Sequence, residues 1–193
     1  CDPWPDGDPA AAPLLAPCPA GWREVTDAET GQVTCDPWPE AGMEDCGPDE
    51  AHFPGEPGCT RIGTACPTGD WVDDLRASGV LYVQPGSPPG GTGTQAAPFA
   101  TVAETLTAAR SGTIVALAKG NYDEVVVIPG GVTLWGACVA ETVVASSSAD
   151  ENGVTVAAGG TGGALRNLQI GGERRGIAVL TRGWSLDLRD VLI

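Results

Sequence analysis

Seven cysteines carry the most reactive chemistry in this 193-residue chain: Cys1, Cys18, Cys35, Cys46, Cys59, Cys66 and Cys138. Thiols of this kind either ligate metal or oxidise to disulfides, and their spacing separates the two outcomes. Neighbouring cysteines lie 17, 17, 11, 13, 7 and 72 residues apart, and none form the C-x2-C pair that zinc sites favour. Disulfides in an oxidising compartment are therefore expected among Cys18, Cys35, Cys46, Cys59, Cys66 and Cys138. A Cys18–Cys35 bridge is the first of these, because Trp22–Val25 and Gln32–Thr34 flank a turn at Asp27–Gly31 and would form a hairpin between them. Cys138, far along the chain, is expected to bridge back to the N-terminal segment. Cys1 has two readings that stay open: one half of a disulfide in an earlier copy of the same unit, or the lipidated first residue of a mature lipoprotein.

The other reactive residues are sparse. His52 is the only histidine, which excludes two-histidine metal sites within this chain, and it reads as a turn residue. Gly90–Thr94 is glycine-rich, but no GK[ST] follows to make a phosphate loop. The acids after residue 79 outside the Thr101–Arg110 run (Asp123, Glu124, Glu141, Asp150, Glu151, Glu173, Asp187 and Asp190) do not recur at a fixed period, so no stacked carboxylate pair is in view. Arg166, Arg174, Arg175, Arg182 and Arg189 form the one basic cluster, and Arg166 and Arg189 sit at equivalent positions of a repeat, where they could face an acidic sugar. Trp4, Trp22, Trp38 and Trp71 read as the small core of a cross-linked module, with sugar stacking as the sharper alternative. No catalytic residue, cofactor or metal ligand is assigned.

Two kinds of text position these residues. Residues 1–78 hold 16 acids, 3 bases and 12 of the 17 prolines, while residues 79–193 hold 9 acids and 7 bases and are rich in Val, Gly, Thr and Ala. The acidic front half argues against nucleic acid and anionic lipid as partners, since phosphate neutralisation needs clustered Lys and Arg. No apolar run reaches the ~18 residues that would span a bilayer, so a membrane link would come only through a lipid on Cys1. CDPWP occurs at Cys1–Pro5 and again at Cys35–Pro39. In the back half, GVTVAAGGTGGALRNLQI (Gly153–Ile170) lies over GIAVLTRGWSLDLRDVLI (Gly176–Ile193) at an offset of 23, and Gly131–Leu134 matches Gly153–Val156 at 22. Short strands repeating at such a period indicate a β-solenoid, whose units bury their apolar side chains only by stacking. Ahead of the repeats, Thr101 and Glu104 predict a capping box opening a helix over Thr101–Arg110, with Val102, Leu106 and Ala109 on its buried stripe.

The stretch Tyr82–Gly136 combines a YV strand, a Gly-rich loop ending at Pro98-Phe99, a T-x-x-E-x-L helix, a GTIVAL strand, a G-x-Y-x-E element at Gly120–Glu124 and a GVTLWG strand. In this combination it resembles the start of secreted bacterial right-handed parallel β-helix proteins of the pectin-lyase-like superfamily, most closely those with a DUF1565-type N-terminus. The resemblance implies an all-β, right-handed parallel β-helix with a short N-terminal capping helix, preceded by a disulfide-rich irregular module. The expected division is a Cys/Pro-rich module over 1–78 and the cap and first coils over 79–193, with further coils beyond Ile193. It also implies a secreted, periplasmic or outer-surface scaffold, non-catalytic and facing polysaccharide or cell-envelope components. The alternative is the leading part of a polysaccharide-active enzyme, lyase or glycoside hydrolase, with its active site on later coils.

Overall fold

A computed structural model describes residues 16–73, 75, 79–147, 155–171 and 179–193. Cys1, Trp4, Asp150, Glu151, Glu173, Arg174 and Arg175 lie outside the described residues. The chain divides into two compact units, Cys1–Cys46 with Ala51–Thr60, and Gly47–Glu50 with Arg61–Ile193. The compositional break near residue 78 and this division fall at different places, because residues 61–73 have the composition of the front half yet fold with the second unit.

In the first unit, β1 (Arg23–Thr26) and β2 (Val33–Asp36) pair antiparallel, with Glu24 opposite Cys35. The turn between them forms because the Asp27 carboxylate accepts hydrogen bonds from the Glu29 and Thr30 amides and the Thr30 hydroxyl. These bonds hold the Asp27 carboxyl below the usual carboxylate range. Cys18–Cys35 closes the hairpin, with Cα atoms 5.5 Å apart. The Arg23 guanidinium ties it further to the Asp36 carboxylate and the Trp38 carbonyl. A second strand pair, β3 (Glu50–His52) and β4 (Cys59–Arg61), carries Cys46–Cys59, with Cα atoms 5.6 Å apart. His52 is a correction to its reading as a turn residue. It lies in β3, 8% exposed, edge-on to Trp38, and its Nδ1 accepts the Glu44 amide while Nε2 donates to the Glu56 carbonyl. With both ring nitrogens satisfied by backbone, burial costs little and the imidazole serves as core.

The second unit is mostly strand, with one short helix among the described residues. Its strands are β5 (Val80–Val83), β6 (Ile114–Leu117), β7 (Gly120–Asp123), β8 (Val126–Ile128), β9 (Thr133–Gly136), β10 (Thr142–Ala145), β11 (Val156–Ala158), β12 (Gly163–Gly171), β13 (Val179–Leu180) and β14 (Leu186–Leu192), and the helix is α1 (Val102–Ala108). Seven strands form one parallel sheet and β8, β11 and β13 form another. β12 joins two ladders: Ala164–Arg166 lies beside β9, whereas Gln169–Gly171 lies beside β10. Between the two halves Asn167 adopts φ 55°, a left-handed conformation that turns the strand through a corner, and Asp190 repeats it in β14 at φ 54°.

Three parallel ladders result. One aligns Leu81, Val115, Leu134, Leu165 and Leu188, the second Tyr122, Val144 and Ile170, the third Val126, Val156 and Val179. Among these, Val115, Tyr122, Val126, Leu134, Val144, Val156, Leu165 and Ile170 are buried and belong to one apolar cluster. The offset of 23 read from the sequence is the observed register for Val156 with Val179 and Leu165 with Leu188. The shorter match at 22 is not. Leu134 pairs with Leu165 and Val156 with Val126, because the chain between β9 and β12 also supplies β10 and β11.

The helix is shorter than Thr101–Arg110. Thr101 Oγ accepts the Glu104 amide at 3.1 Å as expected of a cap, but the Glu124 carboxylate takes the Val102 and Ala103 amides, at 2.8 and 2.9 Å. The acid of the G-x-Y-x-E element therefore does the work at the helix start, where a negative charge is favoured. Its neighbour Tyr122 is buried and directs its hydroxyl to the Val83 and Ala118 carbonyls, and burial pushes the phenol well up. Thr105 rather than Leu106 is fully buried on the helix, its hydroxyl donating to the Thr101 carbonyl.

Candidate functional site

Side chains alternate across a strand, so the residues next to the Leu81–Leu188 column point the other way. That outward column runs Tyr82, Ala116, Trp135, Arg166, Arg189. Arg166 and Arg189 are thus neighbours in adjacent strands, as their repeat positions require. Each is already engaged. The Arg166 guanidinium carbon lies 5.3 Å from the Trp135 ring centroid, and Arg189 is paired with Asp187 at 2.9 Å. Arg166 Nε is buried with no hydrogen-bond partner among the described residues, and the guanidinium lies over the ring face.

Along the corner beside this column runs a strap, residues 63–73. Gly63 comes against Asn167 so closely that a Cβ there would run into the Asn167 Oδ1, and its φ of 74° also suits glycine. Asn167 Oδ1 accepts the Thr64 amide, while its Nδ2 donates toward Thr64 Oγ and the Gly136 and Ala137 carbonyls, all within 2.9–3.1 Å. Next, Cys66 is bonded to the fully buried Cys138, with Cα atoms 5.0 Å apart. Lys119 then reaches the Pro67 carbonyl at 2.7 Å and the Glu141 carboxylate at 2.7 Å, and its amide donates to the Asp70 carbonyl. The strap therefore touches β12, the turn after β9, the residue before β7 and finally β5, crossing successive strands in reverse order. Sequence reasoning found the Cys138 bond but missed the strap. The only signal for it was that same bond, together with Gly63.

Where the strap ends, Gly69, Asp70, Trp71, Val72, Asp73 and Leu75 meet Tyr82 and Gln95 around an open cleft of about 490 Å³. Trp71 stands edge-on to Tyr82, with centroids 5.5 Å apart and planes at 87°. Its Nε1 is shielded from solvent and has no acceptor among the described residues. Trp71, which by composition reads with the aromatics of the cross-linked module, belongs to the second unit.

The acids of the strand region are spread out, and their contacts are local. The Asp123 carboxylate accepts the Ser147 amide and hydroxyl, which hold its carboxyl below the usual range. Glu124 is on the helix, Glu141 on Lys119 and Asp187 on Arg189. The one group of potential metal ligands among the described residues is Cys66, Cys138 and Glu141, and its two sulfurs are consumed in the disulfide. No helix of the described residues is long and apolar enough to cross a membrane.

Fold and site together define a mostly β, disulfide-bonded chain built on a seven-stranded parallel sheet, of a kind suited to a non-cytoplasmic environment. Residues 86–174, somewhat under half of the chain, match the model of a family described as protein of unknown function (DUF1565). The match takes in α1 and β6 to β12, while the strap, Trp71, Tyr82 and Arg189 lie outside it. A search of the curated proteins finds no match, and neither does a search of the solved structures.

Proposed function

We propose that the second unit is a right-handed parallel β-helix and that the protein is an extracellular or cell-surface scaffold, facing carbohydrate and binding rather than cleaving it. The ladder spacings support the solenoid: residues 126, 156 and 179, and residues 122, 144 and 170, follow one another at intervals of 22–30 residues, which suits coils that stack without crossing. The three disulfides support export. A lipid on Cys1 would add an envelope anchor to the same reading.

The observation that carries the non-catalytic half is the commitment of the strand-region carboxylates among the described residues. Cleavage of a polysaccharide on such a scaffold needs two free carboxylates facing one bond, or acids holding Ca²⁺ beside a basic residue. Asp123, Glu124, Glu141 and Asp187 are each bound to a neighbouring group of the fold, and Asp190 stands at a corner against the strap. The expected outcome is no reducing-end or unsaturated product from pectin, polygalacturonate or alginate, with or without Ca²⁺. Turnover that disappears on replacing Arg166, Arg189 or Asp190 would overturn this reading in favour of a lyase.

A further inference from the structure

We infer that the cleft at the end of the strap binds a neutral saccharide, with Trp71 as its central contact. The inference rests on the carbohydrate-facing reading and names a ligand class and a place for it. The cleft holds about 490 Å³, within the range of small-ligand sites, and combines two aromatic rings with the carboxylates of Asp70 and Asp73 and the amide of Gln95. Aromatic faces pack against the apolar C–H faces of sugar rings, while carboxylates and amides take up their hydroxyls.

Three ligand classes compete for such a lining, and the residues separate them. An acidic saccharide would bring its carboxylates against Asp70 and Asp73, both exposed acids with no cation paired to them among the described residues, so repulsion disfavours it. A cationic ligand would suit the rings and the acids. A cation without an oxygen offers nothing, however, to Trp71 Nε1, a donor closed off from water and left without an acceptor among the described residues. Such a donor remains destabilising until an oxygen reaches it. A hydroxylated, uncharged ligand answers all three features: its ring packs on the indole, its hydroxyls donate to Asp70 and Asp73, and one oxygen accepts from Nε1–H after a small tilt of the ring. The cleft is also held in place from behind. Asp70 is fixed through its carbonyl to the Lys119 amide and through its carboxylate to Gln84, and Cys66–Cys138 anchors the strap a few residues upstream. A preorganised lining of this kind loses little entropy on binding.

Isothermal titration of the whole chain with cellohexaose, mannohexaose and maltohexaose, against hexagalacturonate and tetramethylammonium, tests the assignment. Saturable binding of at least one neutral hexasaccharide is expected. Trp71→Ala should weaken it about ten-fold or more, and Trp71→Phe, which keeps a ring but loses the donor, by about three-fold. Asp73→Asn, at an exposed position, should weaken it by a similar few-fold while leaving the thermal midpoint in place. Preference for hexagalacturonate or tetramethylammonium, no binding of any neutral probe, or neutral binding indifferent to Trp71 would each overturn the cleft assignment. Hexagalacturonate binding lost in Arg189→Ala but kept in Trp71→Ala would sink the cleft while sparing the carbohydrate-facing scaffold.

Discussion

The two units hold themselves together by different means. Every side chain of the apolar core, from Val83 to Ile170, lies in the second unit. In the first, His52 is the one buried residue among those described, and the strands are pairs of three or four residues. A segment with so little apolar area to bury relies on cross-links, whose effect is to restrict the unfolded chain. The second unit relies instead on columns of Val, Leu and Ile repeated from strand to strand, and uses its single disulfide to fix a strap rather than to make a core. The lesson is that composition sorts a segment by how it must be stabilised, not by the unit it joins. Residues 61–73 look like the first unit and belong to the second.

The sharpest way to separate the two modes is to cut the core. Leu165 is fully buried, paired with Leu134 on one side and Leu188 on the other. Leu165→Ala should destabilise the second unit by about 2–5 kcal/mol. The hairpin of β1 and β2 should melt unchanged, as judged by amide exchange on its strands. Equal loss in both units would mean that the first depends on the apolar core after all.

A smaller effect is expected at the corner. Asn167→Ala removes the bonds to Thr64, Gly136 and Ala137 and leaves two buried carbonyls short of a donor, at a φ that alanine disfavours. A loss of about 1–3 kcal/mol follows, with faster proteolysis between residues 61 and 73 as the strap loosens. A strap that stays as resistant as in the parent chain would show that Cys66–Cys138 alone secures it.

Much of this arrangement was legible in the sequence, and the gaps have physical causes. The 23-residue offset showed directly in Leu165/Leu188 and Arg166/Arg189, because a parallel ladder places like beside like. The hairpin was legible because Cys18 and Cys35 flank two β-prone runs and a turn that opens on Asp27 and closes on Gly31. The earlier strands were harder. Spacings of 19 from Val115 to Leu134 and 31 from Leu134 to Leu165 follow no fixed period, since loops of unequal length join the ladders. Arg166 and Arg189 were placed correctly side by side, but their partners were not legible, because Trp135 is 31 residues from Arg166 and meets it only through the register. The cleft escaped altogether. Trp71, Tyr82 and Gln95 come together through the strap, a long-range contact that no local pattern announces.

Amide hydrogen exchange of the whole chain, with and without dithiothreitol, tests the contrast between the units most directly. Reduction should free the amides of Arg23–Thr26 and Val33–Asp36, since a cross-link closing a loop of this size contributes about 3 kcal/mol to a unit whose described residues form no apolar core. The amides of Ile114–Leu117, Thr133–Gly136 and Gly163–Gly171 should stay protected under the same conditions. Retained protection in the hairpin after reduction, or its simultaneous loss from all five strands, would contradict that contrast.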